Sequence, residues 1–230
     1  MQSDPPSRLN VGVGGKPVGE FEGDHAVGER PCRSGSIAVA GKGLEGGDQG
    51  TLLSTRGQVV SYTLTIESTG GSAITVPGRG FLLNNELTDF NSTGDGPNLP
   101  APGKRPRSSM SPTIVLDDGS PFLAVGTPGG STIITTVAEI LLNRIDRGMS
   151  LPEAIAAPRA TQRNTSTVGA EAEYRRLYES GLTALGHAFS DRSEIGAATG
   201  LEVLPDGRFL AAAEPVRRGG GDAGVLRADE

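Results

Sequence analysis

The stretch "GTPGGSTIITT" (126–136) sets a glycine turn against a run with helical spacing. Backbone amides at the start of a helix point outward without helical partners, and the helix dipole favours negative charge there. Gly129 and Gly130, which carry no side chain, would let an anionic oxygen approach that backbone closely. A plain loop between a strand and a helix explains the same glycines. Three further polar groups lie at the ends of predicted strands, where sites are commonly built. They are Thr65 with Glu67, then Glu86 and Asp89 in "NNELTDF" (84–90), then Ser108 and Ser109 in "KRPRSSMSPT" (104–113). Each has a structural explanation too: solvent-facing positions of an edge strand, acids complementing a helix dipole, and hydroxyls capping a turn.

These groups need elements to hold them. "QVVSYTLTI" (58–66) alternates and is β-branched, which predicts a strand. "SAITVPGRGFLLNN" (72–85) reads as strand, Pro-Gly turn, strand, and a polar loop follows it. "PTIVLDDGSPFLAVG" (112–126) and "TGLEVLPDGRFLAAA" (199–213) are hairpins around Asp118-Gly119 and Asp206-Gly207. Ile133, Ile134, Val137, Ile140, Leu141 and Ile145 recur at helical spacing, with Ser131 as N-cap. "SLPEAIAAP" (150–158) predicts a short helix, and "AEAEYRRLYESGLTALGH" (170–187) an exposed one. Strands, then helices, then strands again indicate an α+β layered domain.

Residues 1–50 differ. They are dense in glycine and charge, show no period, and read as a disordered or non-cognate leader; the ordered domain spans 51–230. The 230-residue chain suffices for one core, and its net charge of −6 argues against nucleic acid or an anionic membrane as partner. "GKRPR" (103–107) and "VRRGG" (216–220) read as solvated loops. One cysteine and two histidines exclude an internal disulfide and speak against a histidine metal site or a Ser-His-Asp relay. No cofactor or metal is expected. The opening residues lack a positive head followed by an apolar run, so no export signal is read there, and no stretch is long enough to span a membrane.

Taken in order, "YTLTIE", "VPGRGFLLNNELTDF", "PGKRPRSSMSPTIVL" and "GTPGGS" resemble the small subunit of the γ-glutamyltransferases (glutathione hydrolases). The likeness runs from about Gly57 to the "PDGRFLAAAEPVRRGG" near the end. It implies an αββα sandwich of the N-terminal-nucleophile hydrolase type, incomplete because only the small-subunit part is present. It also implies cleavage of the γ-glutamyl amide of glutathione, with transfer to water or an amino-acid acceptor. The attacking group would be a threonine whose own α-amine acts as base. By resemblance, Thr65 hydrogen-bonds and tunes that nucleophile, while Glu67, Glu86 and Asp89 surround the substrate α-ammonium. Ser108 and Ser109 hold the α-carboxylate, and Gly129 and Gly130 supply amides to the oxyanion. The partners implied are glutathione or other γ-glutamyl compounds and a separate large subunit. A glutaryl or cephalosporin acylase is the related alternative, and a non-catalytic γ-glutamyl-binding subunit the other.

The chain departs from the pattern at one position. Counting back from Gly57 puts the nucleophile at Gly47, which has no hydroxyl. Thr51 and Thr55 are the nearby substitutes, but Thr51 would require a deletion in a core strand and Thr55 falls in the turn before it. The first small-subunit strand reads as lost, replaced by "GKGLEGGDQG" (41–50), and the chain as a truncated, catalytically impaired form. Its localisation is not implied, since members of the family are often exported.

Overall fold

The computed structural model describes the backbone of residues 8–13, 16–22, 27–30, 37–42, 47–54 and 57–226, and the side chains of 50–52 and 57–224. Fourteen strands and three helices are assigned within them. Strands β1 (Arg8–Val13) and β2 (Lys16–Glu22) pair with each other. Next come β3 (Val27–Arg30), β4 (Ile37–Lys42), β5 (Gly47–Ser54) and β6 (Val59–Thr65). The hairpin of β7 (Thr113–Asp117) and β8 (Ser120–Gly126) leads into α1 (Ile133–Leu141) and α2 (Leu151–Ala156). Then follow β9 (Ala160–Thr161), β10 (Val168–Glu171), α3 (Ala172–Ala184) and β11 (Phe189–Arg192). Strands β12 (Thr199–Val203), β13 (Phe209–Ala213) and β14 (Asp222–Leu226) complete the chain.

Two antiparallel sheets carry the fold. One has the order β3-β13-β12-β8-β7 and the other β14-β4-β5-β6. Side chains alternate across a strand, so β13 feeds two cores. Leu210 and Ala212 pack with Leu123 and Val125 against Ile133, Val137, Ile140 and Ile155 of the helices. Phe209, Ala211 and Ala213 meet Leu201, Ala223 and Val59 between the sheets. A strand covered on both faces needs no polar alternation, which is why "FLAAA" is buried throughout.

On β6 the alternation exposes one face. Val60, Tyr62 and Leu64 are 46%, 42% and 62% exposed, so the outer side of the four-stranded sheet presents apolar surface. Helices α1 and α2 pack on the other sheet, and α1 also meets β9. Among the described residues no helix of α1–α3 is seen to cover that outer face.

The elements follow local chemistry. Asp118 (φ 45°) and Gly119 (φ 78°) give both hairpin-turn residues the left-handed conformation that a tight two-residue turn requires. Ser150 and Glu153 form a capping box at the start of α2.

Four details differ from the sequence reading. Segment 72–85 forms one bridge, Thr75 to Leu82, rather than two strands; without a third strand to cover it, Ile74 and Phe81 stay exposed. A 3-10 turn over Gly130–Thr132 precedes α1, so its cap position falls on Thr132 and not Ser131. The helical run past Leu141 continues as a π turn, closed by Arg147 N–H donating to the Leu142 carbonyl (3.1 Å). Finally, strands β1–β5 occupy parts of the stretch read as unstructured, and the strand read as lost is present as β5. Main-chain pairing to β4 and β6 on both sides forms it, whatever its side chains prefer.

Candidate functional site

All eight candidate residues line one open cavity of about 1020 Å³ at the end of the sandwich. Thr65 closes β6, and its hydroxyl accepts the backbone N–H of Glu67 at 2.9 Å. That bond folds the chain sharply, leaving Glu67 at φ 72°. The Glu67 carboxylate then accepts Nδ2 of Asn85 at 2.5 Å and the Ser68 hydroxyl. Bonds from Ser68, Thr88 and Asn85 hold the Glu67 carboxyl below the usual range, the Ser68 bond contributing most and outweighing, with the others, the opposing effect of burial.

Glu86 and Asp89 come from a 3-10 turn (Glu86–Asp89) locked to that corner. Asn85 N–H donates to the Ile66 carbonyl (3.2 Å), and Asn84 Oδ1 accepts Glu86 N–H (3.0 Å). Burial raises the Glu86 carboxyl, and the neighbouring Asp89 and Glu67 push it further up. Three acids gathered this closely are suited to a single cation.

Ser109 Oγ donates to the Gly130 carbonyl at 2.7 Å and so ties the serine loop to the glycine turn. Ser108 Oγ accepts the Met110 amide at 3.3 Å. The two glycines serve different needs. At Gly129 (φ 150°) an added Cβ would sit 2.7 Å from Thr132 Oγ1 and 3.5 Å from the Gly196 Cα. At Gly130 (φ 54°) a Cβ would meet nothing within 4 Å, so there the backbone angle is the constraint.

Sequence reasoning missed several contributors. Asn85 stitches the acids together, and Asn98 bonds both the Asp89 carbonyl (2.7 Å) and the Arg107 amide (2.9 Å). Thr63, Arg107, Arg163 and Arg218 also line the cavity. Period two gave a signal for Thr63, which shares the face of Thr65. Arg107 and Arg218 belong to the basic runs read as solvated loops; both are exposed, and both reach the cavity.

Position 47 is placed by backbone alone: Gly47 is the register partner of Thr65, at the cavity end of β5. Thr51 lies four residues along, opposite Ser61, and is buried at 1% exposure. Thr55 lies outside the described residues.

A second cavity, about 410 Å³, lies among α1, α2 and α3 beside Glu139. Burial raises that carboxyl to about 7, and its Oε2 has no partner. Among the described residues no helix is long and apolar enough to cross a membrane.

Two stacked sheets with helices against one of them have the layering of the N-terminal-nucleophile hydrolases. The Helicobacter pylori γ-glutamyltranspeptidase T380A mutant superposes with a TM-score of 0.66 at 36% identity, covering 73% of this chain and 98% of that one. The family model described as Gamma-glutamyltranspeptidase matches residues 45–224, and the chain belongs to that family. The glutathione hydrolase proenzyme of Bacillus subtilis (strain 168) is 41% identical over 165 residues, 71% of this chain but 28% of that protein. The acylase ACY 1 proenzyme of Pseudomonas sp. (strain SE83) is 32% identical over 177 residues, 74% of this chain and 32% of that protein. The chain thus spans about a third or less of the length of these relatives.

Proposed function

We propose that the cavity recognises the γ-glutamyl group of glutathione and related amides, as one part of a γ-glutamyltranspeptidase site. The observation that carries this is the convergence of eight residues, from four separate chain segments, on a single cavity. Glu67, Glu86 and Asp89 take the α-ammonium, Ser108 and Ser109 the α-carboxylate. Gly129 and Gly130 offer backbone amides where the amide oxygen becomes negative, and Thr65 faces the attacking position. That position is Gly47, which has no hydroxyl. This chain therefore binds γ-glutamyl compounds and does not cleave them. A large subunit is the natural cover for the exposed Val60, Tyr62 and Leu64 face.

Calorimetric titration with glutamate, together with a γ-glutamyl-p-nitroanilide assay, tests the proposal. Measurable glutamate binding with no release of nitroaniline is the expected result, and turnover comparable with an intact relative overturns the non-catalytic part. The acylase relative favours a second reading, a site for glutaryl side chains. Such groups lack the ammonium that three carboxylates would hold, so glutarate matching glutamate in competition would select that reading.

A further inference from the structure

The cavity carries charge that a γ-glutamyl head does not use. Its three carboxylates come from the corner after β6 and the 3-10 turn at Glu86–Asp89, and together they serve one ammonium. Three other segments contribute arginines: Arg107, before the serine pair, Arg163, after β9, and Arg218, after β13. Arg163 is anchored. Its Nη1 donates to Ser131 Oγ, which fixes the group beside Gly130, on the side of the glycine turn. Arg218 is held at φ 53°, a conformation costly for a residue with a side chain, and its amide donates to Glu194 Oε2 at 3.0 Å. Arg163 makes no ion pair with Glu67, Glu86 or Asp89, and its bond to Ser131 keeps it at the glycine turn. Arg163 is thus placed by the glycine turn rather than by the acids.

The reading above puts the amide carbonyl at Gly129 and Gly130, with the glutamyl body running towards the acids. Whatever is attached to the amide nitrogen must then extend away from them, towards Ser131 and Arg163. An extended dipeptide reaches up to about 7 Å and ends in a carboxylate. The planar fork of arginine matches a carboxylate in a way that a point charge does not. We propose that Arg163, with Arg218, forms a subsite for a terminal carboxylate on the amine side of the γ-glutamyl amide. The chain then selects γ-glutamyl peptides over γ-glutamyl amides lacking that carboxylate. This rests on the γ-glutamyl reading of the cavity.

The full chain is titrated by calorimetry with glutamate, glutathione and the C-terminal carboxamide of glutathione. Glutathione is expected to bind about fivefold more tightly than its carboxamide, as suits a partly exposed charge-assisted contact. Arg163→Gln brings that ratio to about one, whereas Arg79→Gln, on the exposed 76–81 turn, keeps it. Equal binding of glutathione and carboxamide by the parent chain, with glutamate still bound, overturns the subsite alone. So does a ratio that survives in Arg163→Gln and in the Arg163→Gln, Arg218→Gln double variant. If neither glutamate nor glutathione binds, the γ-glutamyl reading falls and takes the subsite with it.

Discussion

In the interior, Arg159, Glu171, Glu214 and Arg217 pair with one another, whereas the cavity holds Glu67, Glu86, Asp89 and Arg163 with no ion pair among them. Arg159 is 2% exposed and reaches Glu214 at 3.0 Å; Arg217 bonds Glu171 through Nε and Nη2, each at 2.7 Å. Burial pushes the Glu171 carboxyl up, but Arg217 and the amides of Ile195 and Arg159 more than offset this and leave it below the usual range. The same residue types thus have two uses. Where water is excluded, each charge is answered from within the chain. Where the surface is open, Asp89 and Glu67 lie close enough to Glu86 to raise it, an arrangement that a nearby cation would relieve.

The interior set also reaches the site. Ile195 donates its N–H to Glu171 (2.9 Å), and its carbonyl accepts Arg159 Nη1 (2.6 Å). The next residue, Gly196, is the one that packs against Gly129.

Breaking the interior set should have the largest effect. Arg159→Met leaves Glu214 buried with one cation fewer, at a cost of about 3–5 kcal/mol. Thermal unfolding followed by circular dichroism should shift down by roughly 10 °C. A shift of only a degree or two would show that these charges are not coupled.

The glycine turn comes next. Gly129→Ala forces a methyl against Thr132 and should cost about 2 kcal/mol, whereas Gly130→Ala, with open space and only the backbone angle against it, should cost about 1 kcal/mol. Denaturant midpoints for the pair decide this, and equal losses would remove the distinction between the two glycines.

Glu139 lies between the two regimes, close enough to feel Arg159 and Arg217 but with one oxygen unpartnered. Its carboxyl is raised from 4.5 to about 7, so the folded state binds a proton more readily than the unfolded one. Stability from this group is complete below about pH 4.5 and is lost as pH rises to about 7. Glu139→Gln should therefore stabilise the chain by on the order of 1–2 kcal/mol at pH 8 and have little effect at pH 4. A gain of equal size at both pH values would contradict this.

The smallest effect on stability belongs to the cavity acids. Glu86→Gln and Asp89→Asn should change stability by no more than about 0.5 kcal/mol, yet each should weaken glutamate binding. Because Glu86 is raised, that binding should decline as pH falls through values still above the normal carboxylate range. Calorimetry over a pH series follows it, and a flat series would remove Glu86 from ammonium recognition.

The sequence made much of this legible wherever the cause was local. Asp118-Gly119, the capping box at Ser150 and the period of the 133–141 helix each state their own structure. The eight candidate residues stood out through a pattern of blocks, and they line one cavity formed by the end of β6, a 3-10 turn, the serine loop and the glycine turn. What was not legible depended on distant partners. "GDQGTLLS" becomes a strand because β4 and β6 flank it, and Arg217 finds Glu171 across 46 residues. Arg163 sits in "TQRNTST", where nothing nearby announces its approach to Ser131.

The ring of Tyr62 lies flat over Gly50 on the bare sheet face, where any Cβ on Gly50 would come within 2.5 Å of it. The chain has no tryptophan, and its other two tyrosines, Tyr174 and Tyr178, sit together on α3 with centroids 4.9 Å apart. Replacing that pair with phenylalanine would leave a single tyrosine emitter, separable from phenylalanine by excitation wavelength, where anything that settles on the outer sheet must change its surroundings.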